Sequence, residues 1–220
     1  MGTKVGALFD MDQTVLDCNS GNLFAKYMIR TRQAKLSGIL KAVHLAILHR
    51  RGRLTPEKLS TGILNVVHIR DEVQLAELYA KWFRENVVHH IAKGAIQAVT
   101  HHLQQGDIVG LITTSVQYAV APLAEHLGIP GHFVCTQLEA VDGRLTGRIL
   151  EPVCYGEGKV FWATRFAERY QVDLTKSYFY TDHNTDLPLL ERVGHPIAVN
   201  PEPVLKAIAM ERGWPIQMFY

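Results

Sequence analysis

From residue 93 onward, short apolar runs alternate with longer stretches in which apolar residues recur at helical spacing. Strands are predicted over 108–112, 133–135, 177–181, 196–199 and 216–219, and helices over 94–105, 117–127, 159–170 and 204–211. Asp142-Gly143 predicts a hairpin between 138–141 and 144–150. Strands separated by helices predict a parallel sheet with helices on both faces, which is an α/β fold.

Two carboxylates follow the first predicted strand, the apolar run 5–9. Asp10 and Asp12 stand two residues apart, where their charges raise each other's pKa and favour a cation between them. Open parallel sheets bind ligands beyond the carboxyl ends of their strands. The Asp-x-Asp pattern is common. Taken alone, it is better explained by two solvated aspartates at a strand end than by a ligand site.

Further polar residues are predicted to lie at the same carboxyl edge of the sheet. The threonines and aspartates follow predicted strands, and the lysine begins a helix: Thr113, Thr114, Lys159, Asp182 and Asp186. Each has a simpler explanation, such as a strand-ending threonine, a solvated lysine or aspartates that cap a helix. Together they favour a site for phosphoryl transfer, because carboxylates, hydroxyls and an ammonium would converge on one edge.

In this order, the motifs resemble those of the haloacid dehalogenase (HAD) superfamily of phosphatases. Within it, the chain resembles the subfamily (IB) of phosphoserine and histidinol-phosphate phosphatases. The matching stretches are Asp10-Met11-Asp12-Gln13-Thr14-Val15, Leu111-Ile112-Thr113-Thr114-Ser115, Lys159 and Thr181-Asp182-His183-Asn184-Thr185-Asp186-Leu187-Pro188. The resemblance covers nearly the whole chain and implies a Rossmann-like parallel sheet core with an inserted helical cap domain.

The resemblance also implies a Mg²⁺-dependent phosphomonoesterase that hydrolyses a small phosphate ester through an aspartyl-phosphate. Asp10 would be the nucleophile, and Asp12 would be the general acid and base. Thr113, Thr114 and Lys159 would bind the phosphoryl oxygens. The expected ligands of Mg²⁺ are Asp10, Asp182 and the backbone carbonyl of Asp12, and Asp186 would either ligate directly or hold a metal-bound water.

The residues between the first strand and residue 92 are predicted to be almost all helical. Apolar spacing predicts helices over 20–30, with Ser20 as N-cap, over 33–51, from Thr55-Pro56-Glu57 onward, and over 71–86. A helical insertion between two strands is best explained as a cap that packs over the site. The predicted domains are therefore a core of residues 1–16 and 92–220 and a cap of residues 17–91.

The first half of the predicted cap is strongly basic. No Asp or Glu occurs between Asp17 and Glu57, and the basic residues there are Lys26, Arg30, Arg32, Lys35, Lys41, Arg50, Arg51 and Arg53. A solvated helix face and an electropositive lid that attracts a phosphate ester are both consistent with this charge. Contact with anionic lipid headgroups, which would suit a lipid-phosphate substrate, is the weakest of the three interpretations.

The composition excludes several classes of protein. A net charge of +2 over 220 residues carries no nucleic-acid signature. Three widely separated cysteines indicate free thiols rather than a disulfide framework or a zinc site. No apolar run is long enough to span a membrane and no signal peptide is recognisable, so a cytoplasmic location is expected. The oligomeric state is not predicted.

Two departures from the family pattern bear on the substrate. Phosphoserine phosphatases carry a Glu near the position of Asn19, so phosphoserine is a doubtful substrate, and Gln13 replaces a smaller residue. The role of His183, which follows Asp182, stays open between the metal's surroundings, substrate contact and solvent. A phosphotransferase that uses the same aspartyl-phosphate, and a binding module that has lost catalysis, remain alternatives to hydrolysis.

Overall fold

The computed structural model describes residues 3–32 and 69–220, which contain a seven-stranded sheet with helices on both faces. The strands are β1 Gly6–Phe9, β2 Ile108–Val116, β3 Phe133–Val141, β4 Arg144–Leu150, β5 Tyr178–Thr181, β6 His195–Val199 and β7 Ile216–Gln217. The described helices are α1 Ser20–Arg30, α2 Glu72–Trp82, α3 Lys93–Gln105, α4 Gln117–His126, α5 Glu157–Tyr170, α6 Leu187–Leu190 and α7 Pro203–Arg212. The α/β fold predicted from the alternating pattern is confirmed.

The strand order is β4-β3-β2-β1-β5-β6-β7, and every neighbouring pair is parallel except the β3/β4 hairpin. The chain leaves β1 for β2 on one side and later places β5 on the other side. Such a switch point leaves a crevice beyond the carboxyl end of the central strand. Asp10 directly follows β1 and therefore lies at this crevice.

The apolar run of β1 is buried on both faces of the sheet, which is why its sequence is continuously apolar rather than alternating. Leu8 packs with Ile112 and Phe179 on one face. Phe9 belongs to the core on the other face, where its ring stacks on Tyr180 with 4.3 Å between the ring centroids. The strand that carries Asp10 is thus held rigidly from both sides.

Among the boundaries that differ from the sequence prediction, two lie near Asp10 and Asp12. β2 continues to Val116 rather than ending near 112, because its backbone goes on pairing with β3 past a register shift between Thr113 and Val116. Thr113 and Thr114 therefore lie in the last part of the strand and not after it. The N-cap of α1 is Asn19, whose side chain accepts the backbone N–H of Asn22, and not Ser20.

The two ends of the predicted cap segment pack against each other. The ring of Phe24 on α1 stacks on that of Tyr79 on α2 at 4.4 Å between centroids, and Trp82 meets Phe24 edge-on. The predicted helices over 33–51 and from Thr55 lie outside the described residues, as do five of the eight basic residues. Among the described helices, none has the length and apolar character to cross a membrane.

The outgoing and returning linkers of this segment run side by side. Leu16 and Ile91 form an antiparallel bridge, flanked by the hydrogen bonds from Asp17 N to the carbonyl of His90 and from Ala92 N to that of Val15, each 2.9 Å. Nearer its start, the returning chain also pairs with the β3/β4 hairpin, since Asp71 bridges Arg144. The inserted segment is therefore tied to the core at both places.

Candidate active site

The loop after β1 turns tightly enough to place two carboxylates at one edge. The backbone N–H of Asp10 donates to the carbonyl of Tyr180 at 2.8 Å, which fixes the residue between β1 and β5. Gln13 then takes a left-handed conformation with φ 56°, and the N–H of Leu16 closes the turn on the carbonyl of Met11 at 2.9 Å. Asp10 thus lies directly before a short, strained turn, and Asp12 lies within it.

Lys159 brings the first and last motifs together. Its ammonium lies 2.6 Å from Asp10 Oδ1 and 2.7 Å from Asp186 Oδ2, and its side chain is only 3% exposed. Thr181, at the end of β5, donates its hydroxyl to the same Oδ2 of Asp186 at 2.6 Å. Residues that are up to 176 positions apart, from Asp10 to Asp186, therefore meet in one buried polar cluster.

Gly158 allows Lys159 to reach this cluster. A Cβ at Gly158 would lie 1.8 Å from the carbonyl oxygen of Val153, so only glycine lets the start of α5 approach the preceding loop this closely. The close approach sets the position of the helix end, and Lys159 follows directly. A glycine at this position is needed for packing and not for a positive φ.

Asp12 is held by donors from the start of α1. Its Oδ1 accepts the backbone N–H of Ser20 at 3.0 Å, and its Oδ2 is 3.4 Å from the side-chain nitrogen of Asn19. The hydroxyl of Ser20 in turn meets that of Ser115 at 3.1 Å. Asn19, Ser20 and Ser115 were not predicted as site residues; only their nearness in sequence to Asp12 or Thr113 could have indicated them.

The two threonines of the second motif have different partners. Thr113 is buried, and its hydroxyl oxygen accepts the N–H of Ser115 at 3.1 Å, which leaves the hydroxyl proton to donate to another group. The hydroxyl of Thr114 donates to the carbonyl of Cys154 at 3.0 Å. Thr114 therefore fixes the loop before α5, and its hydroxyl is not directed at Asp10.

His183 shapes the turn between Asp182 and Asp186. Its Nδ1 accepts the backbone N–H of Thr185 at 3.2 Å and lies 3.0 Å from the Thr185 hydroxyl. The backbone carbonyl of Asp182 accepts the N–H of Glu202 at 2.9 Å. These contacts orient the loop that carries both carboxylates.

The cluster holds more negative charge than its one ammonium can balance. Burial raises the pKa of Asp10 to about 7, with Lys159 opposing the shift and Asp186 adding to it. Burial and the charges of Asp10 and Asp186 raise the pKa of Asp182 to about 8. For Lys159, burial disfavours the charged form, but the two carboxylates outweigh it and raise the pKa. A divalent cation with a preference for oxygen ligands, such as Mg²⁺, fits this donor set.

Burial also raises the pKa of the Asp12 carboxyl, although the hydrogen bonds from Ser20 favour its ionised form. A carboxyl whose pKa lies above its usual range can hold a proton and give it up, as a general acid and base must. The arrangement thus offers a buried carboxylate, a second carboxyl that can transfer protons, and an ammonium beside the first.

Comparisons with known proteins identify the family of the chain. The family model described as haloacid dehalogenase-like hydrolase matches residues 7–191. A histidinol-phosphatase of Neisseria meningitidis is 29% identical over 97% of this chain and 98% of its own length. A putative hydrolase of Mycobacterium leprae is 30% identical over 97% of this chain and 72% of its own.

Solved structures show the same fold. A protein of unknown function from Bordetella pertussis superposes with a TM-score of 0.87 at 33% identity, covering 99% of this chain and 100% of its own. A phosphoserine phosphatase, described as a phospho-aspartyl intermediate analogue, gives a TM-score of 0.70 at 18% identity, covering 100% of this chain and 95% of its own. At that identity, the second similarity concerns the fold alone.

Proposed function

The chain belongs to the haloacid dehalogenase-like hydrolase family, and from that premise we propose that it is a Mg²⁺-dependent phosphomonoesterase that acts through an aspartyl-phosphate on Asp10. The observation that carries the proposal is the buried contact of Lys159 with both Asp10 and Asp186. This contact supports a catalytic site at the carboxyl edge of the sheet, where a carboxylate nucleophile lies beside a fixed positive charge.

In the first step, a carboxylate oxygen of Asp10 attacks the phosphorus, and the bond from phosphorus to the ester oxygen breaks. Asp12 gives its proton to the departing alkoxide, so that a neutral alcohol leaves. Lys159 and the hydroxyl proton of Thr113 stabilise the charge on the phosphoryl oxygens. The ammonium needs little movement for this role, because it already contacts Asp10.

In the second step, Asp12 takes a proton from a water molecule, which attacks the phosphorus and breaks its bond to Asp10. Inorganic phosphate leaves, and the carboxylate is restored. The donors from Ser20 and Asn19 orient Asp12 for both proton transfers. Ser20 belongs to α1, so the proton-transfer group is linked directly to the proposed cap.

Asp10, Asp182, Asp186 and the backbone carbonyl of Asp12 would hold Mg²⁺, which when bound neutralises the repulsion between the nucleophile and the phosphoryl group. The raised pKa values of Asp10 and Asp182 support this assignment. We further propose that residues 17–91 form the cap that closes over the ester. The packing of α1 on α2 supports the proposal that the two helices belong to one cap domain. A cytoplasmic location stays a prediction.

The substrate class we propose is a small phosphate ester other than phosphoserine. Asn19 caps α1 and reaches Asp12, and its amide offers no negative charge for a substrate amine. Ser20 and Ser115 add only uncharged hydroxyls. The similarity to a histidinol-phosphatase makes histidinol phosphate the first ester to test.

Stopped-flow measurements with p-nitrophenyl phosphate and Mg²⁺ separate the two carboxylates. Nitrophenolate leaves without needing a proton, so Asp12→Asn should give a burst of about one product per enzyme and then slow turnover. Asp10→Asn should give no burst of nitrophenolate and should form no covalent phosphoenzyme. The matched control is Asp142→Asn, an exposed aspartate at a hairpin turn that also suits asparagine, and it should behave as wild type.

Turnover by Asp10→Asn within tenfold of the control would exclude Asp10 as the nucleophile. A chelator should abolish turnover, and added Mg²⁺ should restore it. An added alcohol that collects most of the phosphoryl group would instead indicate a phosphotransferase. No turnover on any ester, with the protein folded, would leave the non-catalytic alternative.

A further inference from the structure

A carboxylate, a thiol and an imidazole meet where the two linkers of the inserted segment run together. Asp17 and Cys18 belong to the outgoing linker, and His90 belongs to the returning one. Their ligand atoms all lie within 4.8 Å of one another. Among the residues that the structure describes, the acidic groups of the candidate active site do not form such a group of three.

The backbone holds these three residues in place independently of their side chains. The N–H of Asp17 donates to the carbonyl of His90 at 2.9 Å, next to the bridge between Leu16 and Ile91. Asp17 Oδ1 and His90 Nδ1 are in direct contact at 2.6 Å. Positions that are 73 residues apart in sequence are therefore paired by a short antiparallel ladder, and a ligand would meet a preformed arrangement.

The chemistry of the set selects the kind of cation. Thiolate and imidazole are preferred by Zn²⁺ and similar divalent ions, whereas Mg²⁺ prefers oxygen ligands alone. Three protein ligands leave a fourth position of a tetrahedron for water. The side chains of His90 and Asp17 are 38% and 39% exposed, so an ion can enter from solvent. Tetrahedral bonding would widen the Asp17–His90 contact only to roughly 3.4 Å, a change within reach of these side chains.

The surroundings of the thiol also favour a cation. Burial raises the pKa of Cys18 to about 12, and the carboxylates of Asp12 and Asp17 add to the shift. The thiol is therefore protonated without metal and is a poor site for oxidation. The same negative charges attract a divalent ion, which would replace the proton on sulfur when it binds.

We propose that Asp17, Cys18 and His90 form a binding site for a thiolate-preferring divalent cation of the Zn²⁺ class, which joins the two linkers when it binds. The site is separate from the proposed magnesium ligands and does not depend on the reaction proposed above. Its geometry comes from the linker ladder, and its selectivity comes from the one thiol.

Titration of the full-length protein with Co²⁺, in excess Mg²⁺, tests the proposal. Mg²⁺ occupies oxygen-only sites, and Co²⁺ bound to a thiolate gives a charge-transfer band in the near ultraviolet. We expect one such ion per chain, displaced by Zn²⁺. Cys18→Ser should lose the band, and His90→Gln should bind at least about tenfold more weakly. His89→Gln, an exposed neighbour outside the group, is the matched control and should bind as wild type does.

A second measurement guards against a folding defect in the variants. Without metal, Cys18→Ser and wild type should have similar thermal midpoints. Zn²⁺ should raise the midpoint of wild type and His89→Gln but not that of Cys18→Ser, because only a bound ion stabilises the folded state. Absence of the band in wild type, its persistence in Cys18→Ser, or equal affinity of the two histidine variants would overturn the proposal. Persistence would assign the band to Cys135 or Cys154 instead.

Discussion

Replacing Lys159 by Met should destabilise the metal-free protein strongly and in a pH-dependent way. The substitution keeps most of the side-chain volume but removes the ammonium that lies 2.6 Å from Asp10 and 2.7 Å from Asp186. Taking one partner from a buried ion pair costs about 3–5 kcal/mol, because the remaining charges lose their counter-charge. We expect a loss of this size in the free energy of unfolding at about pH 7.5.

The loss should shrink as the pH falls. Without the ammonium, the folded variant must keep about one more carboxyl proton than wild type, so its carboxyl pKa lies further above the unfolded value. Stability from a raised carboxyl pKa is present at low pH and is lost as pH rises through the folded pKa. Each extra proton is worth about 1.4 kcal/mol per pH unit, so the loss should be roughly 3 kcal/mol smaller at about pH 5.5.

Urea unfolding followed by tryptophan fluorescence, with a chelator present, measures this difference. Lys206→Met is the control, since Lys206 is exposed and, within the described residues, has no ion pair. It should change the free energy of unfolding by less than about 0.5 kcal/mol at either pH. A free energy of unfolding for Lys159→Met within about 1 kcal/mol of the control, or a loss that is the same at both pH values, would contradict a stabilising role for this buried ammonium.

Three further predictions concern the same edge. The pKa of Asp182 is raised to about 8, so the metal-free wild type should lose stability as the pH rises from about 4 to about 8. In thermal scans over the same pH range, the unfolding midpoint of Asp182→Asn should fall less than that of wild type. Gly158→Ala would bring a Cβ to 1.8 Å from the carbonyl of Val153, so the start of α5 must shift; we expect a loss of about 1–3 kcal/mol in urea and a fall in kcat. Tyr220→Phe removes the phenolic hydrogen bonds to the backbone and side-chain oxygens of Gln13, and the free energy of unfolding should fall by about 1 kcal/mol or less.

Each of these has a matched comparison. Asp142→Asn should keep the full pH slope of wild type, and an equal slope in Asp182→Asn would contradict the charge argument. Gly106→Ala meets no atom within 4 Å and should lose stability through its φ of 80° while keeping kcat. Tyr170→Phe loses one exposed hydrogen bond to Gly131, distant from Gln13. Faster amide exchange around Gln13 in Tyr220→Phe but not in Tyr170→Phe is the expected outcome.

Much of the fold could be predicted because its central strands, such as β1 and β5, are buried and therefore stand out as apolar runs. The convergence of Asp10 with Asp186 was predicted from one rule, that parallel strands share a carboxyl edge. Lys159 follows no strand, and the sequence indicated only that the helix it begins could reach that edge. The end of β2 was misplaced because Thr113 and Thr114 are polar, although their backbone continues the strand. Pattern does not reveal the contact of Ser20 with Ser115, since two serines 95 positions apart carry no periodicity.

The sequence also does not show which of two neighbouring residues caps a helix. Asn19 and Ser20 are both good N-caps, and only the backbone conformation decides that Asn19 takes that position while Ser20 donates to Asp12. The group formed by Asp17, Cys18 and His90 was also out of reach, because pairing of the two linkers brings the residues together and no ligand spacing appears in the sequence.

The pairing of the returning chain with the hairpin has a consequence for how molecules of this protein meet one another. Exposed edge strands offer unpaired backbone groups that recruit further strands. Here the N–H of Leu145 on β4 is taken by the carbonyl of Arg70, and the carbonyl of Gly143 accepts the N–H of Glu72. At the opposite edge, β7 is only two residues long. In the described part of the sheet, the start of β4 is thus covered by the returning chain, and the opposite edge ends in a two-residue strand, so fewer backbone groups are free at these places to recruit a further strand.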